Sequence, residues 1–127
     1  MLEGLSGKRV LVSGASGFIG GALCSKLVEI GAQVTGLSRK VHVGDQIHWI
    51  ACDVTDQDAV RDAVFQTKPD VIYHLASEVT GSRDKECVSR LFHANLASTV
   101  YLMTAASDAG VSRFVPRQSH VNFRMVQ

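Results

Sequence analysis

Apolar and polar positions along the chain fall into alternating blocks of two kinds. Lys8–Ser13 is a short β-rich run, and from Phe18 to Ile30 apolar residues recur at helical spacing (Ile19, Leu23, Leu27, Ile30) until Gly31 ends the helix. Gln33–Leu37 reads as a second strand, followed by the polar stretch Ser38–Asp45 and a third strand, Ile47–Ala51. Thr55 or Asp56 is placed to cap a helix running to about Thr67, with Ala59, Val60, Ala63 and Val64 on one face. Pro69-Asp70 opens Val71–Leu75, a near-continuous apolar strand of the kind buried on both faces of a parallel sheet. After a polar loop, Ser77–Lys85, a long helix is expected from about Glu86 to Ala109, closed by Gly110, and Ser112–Val115 begins a fifth strand.

The order β-α-β-β-α-β-α-β, with connections mostly of crossover length, predicts an α/β fold: a doubly wound parallel sheet of about five strands with right-handed crossovers. Residues 1–115 form one unit. The stretch from Pro116 to Gln127 has no clear periodicity and is expected to be an irregular, divergent tail, because proline belongs on an edge strand or beyond a strand end. The fifth strand would then be an open edge, and open edges invite self-association.

Composition narrows the function classes. Of 127 residues, 46% are hydrophobic and 20% charged, which fits a globular domain with a real core. A formal net charge of +1 gives no case for nucleic-acid or membrane partners. No apolar run approaches the roughly 20 residues that span a bilayer, and the first residues lack signal-peptide features, so a cytoplasmic address is expected. Cys24, Cys52 and Cys87 form no C-x-x-C pair and no metal-ligand spacing. They read as free thiols, with Cys24 and Cys52 buried and inert. The five histidines show no ligand spacing either, and His74, inside the apolar fourth strand, is expected in the core or near a ligand edge.

The candidate chemistry sits between the first strand and the first helix. Gly14-Ala15-Ser16-Gly17-Phe18-Ile19-Gly20 follows the strand directly and opens the helix. A helix N-terminus offers unpaired N–H groups and a partial positive charge, and glycines let that backbone approach a pyrophosphate. Gly14 suits the tight turn, Gly17 the close approach and Gly20 the packing of helix on strand.

Three further segments stand in order behind these glycines: Asp53-Val54 after the third strand, His74-Leu75-Ala76-Ser77 after the fourth, and Asn95-Leu96-Ala97-Ser98-Thr99 in the long helix. With them the chain resembles, from Lys8 to Val115, the extended short-chain dehydrogenase/reductase family, which includes NAD(P)-dependent nucleotide-sugar epimerases and dehydratases. The resemblance implies a Rossmann fold and a dinucleotide site built from Gly14, Ser16, Gly17, Phe18, Ile19 and Gly20. It gives Asp53 and the Val54 amide contacts to adenine, the alternative for Asp53 being a helix cap, and it runs the Leu75-Ala76-Ser77 backbone past a cofactor ribose. Asn95 matches a buried asparagine beneath the active site of relatives, where a structural amide and a proton-relay role are both open. At the end of the second strand, where an acidic residue would bind the ribose hydroxyls of NAD, the sequence has Leu37-Ser38-Arg39-Lys40. A hydroxyl followed by cations favours a 2′-phosphate, with Arg39 as its partner, so NADP is preferred over NAD; solvated loop cations are the alternative.

The family's chemistry uses a Tyr-x-x-x-Lys pair with an upstream Ser or Thr. Neither tyrosine qualifies: Ser77 stands four residues after Tyr73, and Ala105 four after Tyr101. Ser119 falls near the polarising serine by count alone. The expectation is therefore an NAD(P)-binding Rossmann portion, truncated, lacking the usual C-terminal part and without catalytic residues of its own. A non-catalytic NADP(H)-binding redox sensor and an interaction module are the alternatives.

Overall fold

A computed structural model of the chain describes residues 3–40, 42, 44, 46–76, 85–116 and 123–124. A single 3₁₀ turn, Glu3–Leu5, precedes β1 (Arg9–Ser13), α1 (Phe18–Glu29), β2 (Gln33–Ser38), β3 (Ile47–Ala51), α2 (Gln57–Thr67), β4 (Val71–His74), α3 (Lys85–Ala109), β5 (Arg113–Pro116) and β6 (Phe123–Arg124). The sheet order is β3-β2-β1-β4-β5-β6, with β1 to β5 all parallel.

Alternation along β1 divides the interior in two. Val10 and Val12 pack with Ala15, Cys24, Leu27, Val34 and Val71 beneath α1. Leu11 points the other way, into a larger core of Leu37, Val60, Val64, Ile72, Leu102, Ala106 and Phe114 beneath α2 and α3. Both faces of the sheet are thus covered, which is why its central strands read as continuous apolar runs. Burial of the thiols pushes Cys24 up to about 11 and, with added repulsion from Asp53 and Asp56, Cys52 up to about 11.

Local chemistry sets the element ends. Asp56 caps α2, accepting from the Ala59 N–H at 3.2 Å. The α2 C-cap, Lys68, adopts φ 47°, and among the described residues it is the one non-glycine with positive φ. Arg61 of α2 pairs with Asp108 of α3 at 3.0 Å, tying the two helices of the larger core together at the surface.

The end of the chain departs from expectation. Pro116 completes β5 at the register of His74, and β6 adds an antiparallel strand beside β5 (Arg113↔Arg124, Phe114↔Phe123). The expectation of an open fifth-strand edge and a wholly irregular tail from Pro116 onward is therefore corrected. The physical reason is positional: pairing engages the first half of β5, away from the proline that cannot donate to a ladder.

Candidate functional site

β1 leads into β2 on one side of the sheet, whereas the later strands β4 and β5 lie on the other. Between β1 and β4 the winding reverses, and ligands of open α/β sheets bind beyond the carboxyl ends of the strands at such a point. A cleft of about 590 Å³ opens there. Its walls include Gly14, Ser16 and Gly17 from the β1–α1 turn, Ser38 and Arg39 from the end of β2, Asp53 and Val54 after β3, and Leu75 and Ala76 after β4. Nine of the residues named from sequence thus meet on one cavity, although they come from four separate segments.

The glycines differ in what they permit. Gly14 has φ 70°, and a Cβ there would come within 2.7 Å of the Ala76 nitrogen, so this turn is pressed against the start of the β4–α3 loop. A Cβ on Gly20 would collide with the Gly14 carbonyl oxygen, which seats α1 on its own turn. Gly17 is different: a Cβ would meet nothing closer than the Gly14 oxygen at 3.4 Å, and the residue faces the cleft. Two glycines therefore serve internal packing, and the third leaves space where a ligand would lie. Gly17 is also the α1 N-cap, without a side chain to bond the first-turn N–H groups. Phe18 and Ile19 send their side chains outward, 96% and 56% exposed, and can serve the site only through their backbone. Ser77 and Ser119 lie outside the described residues.

Asp53 does not cap α2. Its Oδ1 accepts from the Thr55 N–H at 2.9 Å and the Thr55 hydroxyl at 2.7 Å, forming a turn that fixes the carboxylate at the cleft. Those two bonds, with a smaller contribution from Arg39, hold the carboxyl below its ordinary value. Asn95 lines the cleft half-buried rather than buried, and its backbone carbonyl accepts from Ser98 Oγ and Thr99 Oγ1, both at 3.0 Å. Tyr73 does not line the cleft. It packs on the α1 side of the sheet, where burial raises its phenol above the ordinary value.

Beneath the cleft runs a chain of polar groups that the sequence reading did not assemble. The Ala76 N–H donates to Ser13 Oγ at 3.1 Å, Ser13 Oγ lies 2.6 Å from His74 Nδ1, and His74 Nε2 lies 3.3 Å from Ser98 Oγ. Ser98 donates its single hydroxyl hydrogen to the Asn95 carbonyl, so it must accept from His74 Nε2–H. Nδ1 is then the acceptor, and Ser13 donates to it. Every member is satisfied by a neutral imidazole with its hydrogen on Nε2. Burial agrees, pushing His74 down to about 4. The signal available in sequence was a polar residue ending each of two apolar strands, β1 and β4, which share a register.

His42 is the other residue missed. It lines the cleft, its Nε2 lies 3.1 Å from Ser38 Oγ, and its ring leans on Trp49 with centroids 4.6 Å apart.

The arrangement matches known proteins over nearly its whole length. The sequence profile of the NAD dependent epimerase/dehydratase family covers residues 10–121. A UDP-glucose 4-epimerase of Mycolicibacterium smegmatis is 32% identical over 87% of this chain and 38% of its own length. A 3 beta-hydroxysteroid dehydrogenase/Delta 5-->4-isomerase of Mycobacterium tuberculosis is 34% identical over 88% of this chain and 32% of its own. The chain thus spans roughly a third of the curated relatives it matches. Among solved structures, an epimerase from Methanothermobacter thermautotrophicus superposes with TM-score 0.78 at 27% identity, covering 91% of this chain and 36% of that one. The NAD complex of a Thermus thermophilus UDP-glucose 4-epimerase gives 0.75 at 26% identity, covering 84% and 36%. Fold, cleft and sequence converge, and the chain belongs to the NAD dependent epimerase/dehydratase family.

Proposed function

We propose that this chain is a dinucleotide-binding domain that takes NADP(H) in preference to NAD(H). Gly14, Ser16, Gly17 and the first amides of α1 would receive the diphosphate, as helix N-termini do. Ser38 and Arg39 would take the 2′-phosphate, Asp53 and the Val54 amide the adenine, and Leu75, Ala76 and Ser77 the second ribose. A bound nicotinamide supplies hydride transfer. These residues hold and orient it, and none of them forms a Tyr-x-x-x-Lys pair, so turnover is not expected from them alone.

The observation that carries this reading is the placement of Ser38 and Arg39 on the same cleft as Gly17, with a hydroxyl and a cation where an NAD site has a carboxylate. A carboxylate there would repel a 2′-phosphate, whereas a guanidinium fork bonds it. Calorimetry with NADPH and NADH tests the proposal. Tighter binding of NADPH, with the preference lost in Arg39→Ala, is the expected result. Equal affinity for both cofactors would overturn the preference, and failure of either to bind would overturn the function.

A further inference from the structure

Ser38 Oγ is a meeting point. Ser16 Oγ approaches it at 3.4 Å, the Lys40 N–H at 3.3 Å and His42 Nε2 at 3.1 Å. Three groups able to donate therefore converge on one hydroxyl, which has a single hydrogen and two lone pairs to share among them. Such a gathering of donors around a small acceptor fits a larger one with several oxygens.

The imidazole is held for that role from behind. His42 lies against Trp49 of β3, with ring planes tilted by 38°. An edge nitrogen braced by a neighbouring ring is presented with little rotamer freedom to lose on binding. The same ring lines the cleft beside Ser38 and Arg39.

We infer that His42 is a specificity-determining residue, its ring N–H donating to the 2′-phosphate of NADP(H) alongside Ser38 and Arg39. The inference rests on the cofactor reading above and adds a residue that neither the glycine turn nor the strand-end cations foretold. On NAD(H) the same nitrogen has no phosphate to meet, so its contribution is to discrimination and not to dinucleotide affinity in general.

Two substitutions and one spectroscopic signal test it in the full chain. His42→Phe keeps a ring against Trp49 and removes the N–H, and His42→Gln restores a side-chain donor without the ring. NADPH affinity is expected to fall about tenfold in His42→Phe, with NADH affinity unchanged within about twofold, and to recover in part in His42→Gln. Trp49 is the chain's one tryptophan, so its emission reports on this corner alone. Adenosine 2′-monophosphate is expected to change that emission, and adenosine is not. Parallel loss of both cofactors in His42→Phe, an unchanged NADPH preference, or an emission response equal for the two adenosine probes would overturn the inference while leaving the cofactor reading in place. Wild-type protein that binds neither dinucleotide would instead remove that reading, and this one with it.

Discussion

Ser13 Oγ and His74 Nδ1 lie 2.6 Å apart, although 61 residues separate them in the chain. Both end their strands, at paired positions of β1 and β4, just where the polypeptide turns up to form the cleft. Because the Ala76 N–H bonds the same serine oxygen, this contact fixes the loop against which Gly14 is pressed. The floor of the site is thereby set by side chains that do not line it as well as by those that do.

That burial makes stability pH-dependent. His74 has an ordinary value of 6.5 and is pushed down to about 4 in the fold, so between these values the unfolded chain binds a proton that the folded chain does not. Stability is therefore expected to rise with pH across this window, complete above about pH 6.5 and lost as pH falls toward 4, by on the order of 3 kcal/mol. Denaturant titrations of wild type and His74→Asn check it, since carboxylates common to both cancel in the difference. A difference that does not vary with pH would count against the buried neutral imidazole.

The three glycines separate fold from function. Gly17→Val is expected to fold with only a modest fall in melting temperature for the poorer N-cap, because its φ of −76° suits any residue and its Cβ would meet the Gly14 oxygen at an ordinary 3.4 Å, yet to lose dinucleotide binding. Gly20→Ala should instead destabilise the whole domain by about 2 kcal/mol or more through its collision with the Gly14 carbonyl. Thermal melting with and without NADPH distinguishes the two.

Lys68 offers a stabilising change. It holds φ 47° and ψ 59° at the end of α2, a region that glycine enters without a Cβ penalty. Lys68→Gly is expected to raise stability by about 0.5–1 kcal/mol, read as a higher urea midpoint at unchanged slope. A lower midpoint would show that the lysine side chain contributes more than its backbone costs.

Cys24 and Cys52 should resist alkylation. With both thiols pushed up to about 11, only about one in a thousand is ionised at pH 8. Mass spectrometry after iodoacetamide treatment is expected to find these two unmodified in folded protein and modified after denaturation. Cys52 also lines the cleft, so rapid labelling there in native protein would contradict the burial described.

Much of this was legible in the sequence because it is local. The strands, the helices, the Asp56 cap and the glycine turn each depend on residues within one turn or one strand of each other, and periodicity and cap chemistry report such things directly. Meeting places are not local. Ser13, His74 and Ser98 come together only through sheet register and helix docking, and their polar character in apolar elements was the sole hint. His42 was read as one histidine of five because nothing in the sequence of Ser38–Asp45 says that its ring meets Trp49. The two-residue β6 was equally hidden, since two residues carry no period. Asp53 stands after the strand end as the sequence placed it, its bonds to Thr55 could not be read there, and of the two caps offered, Thr55 and Asp56, the helix uses Asp56.

The line of hydroxyl and imidazole groups through Ser13, His74 and Ser98 also constrains how this sequence can change. Exchanging one member strands its neighbours in a dry wall, whereas replacing all of them by hydrocarbon of similar bulk would leave the Ala76 N–H as the one donor that loses its acceptor from the set. These positions are therefore expected to drift as a set, a change at one being accompanied by changes at the other two.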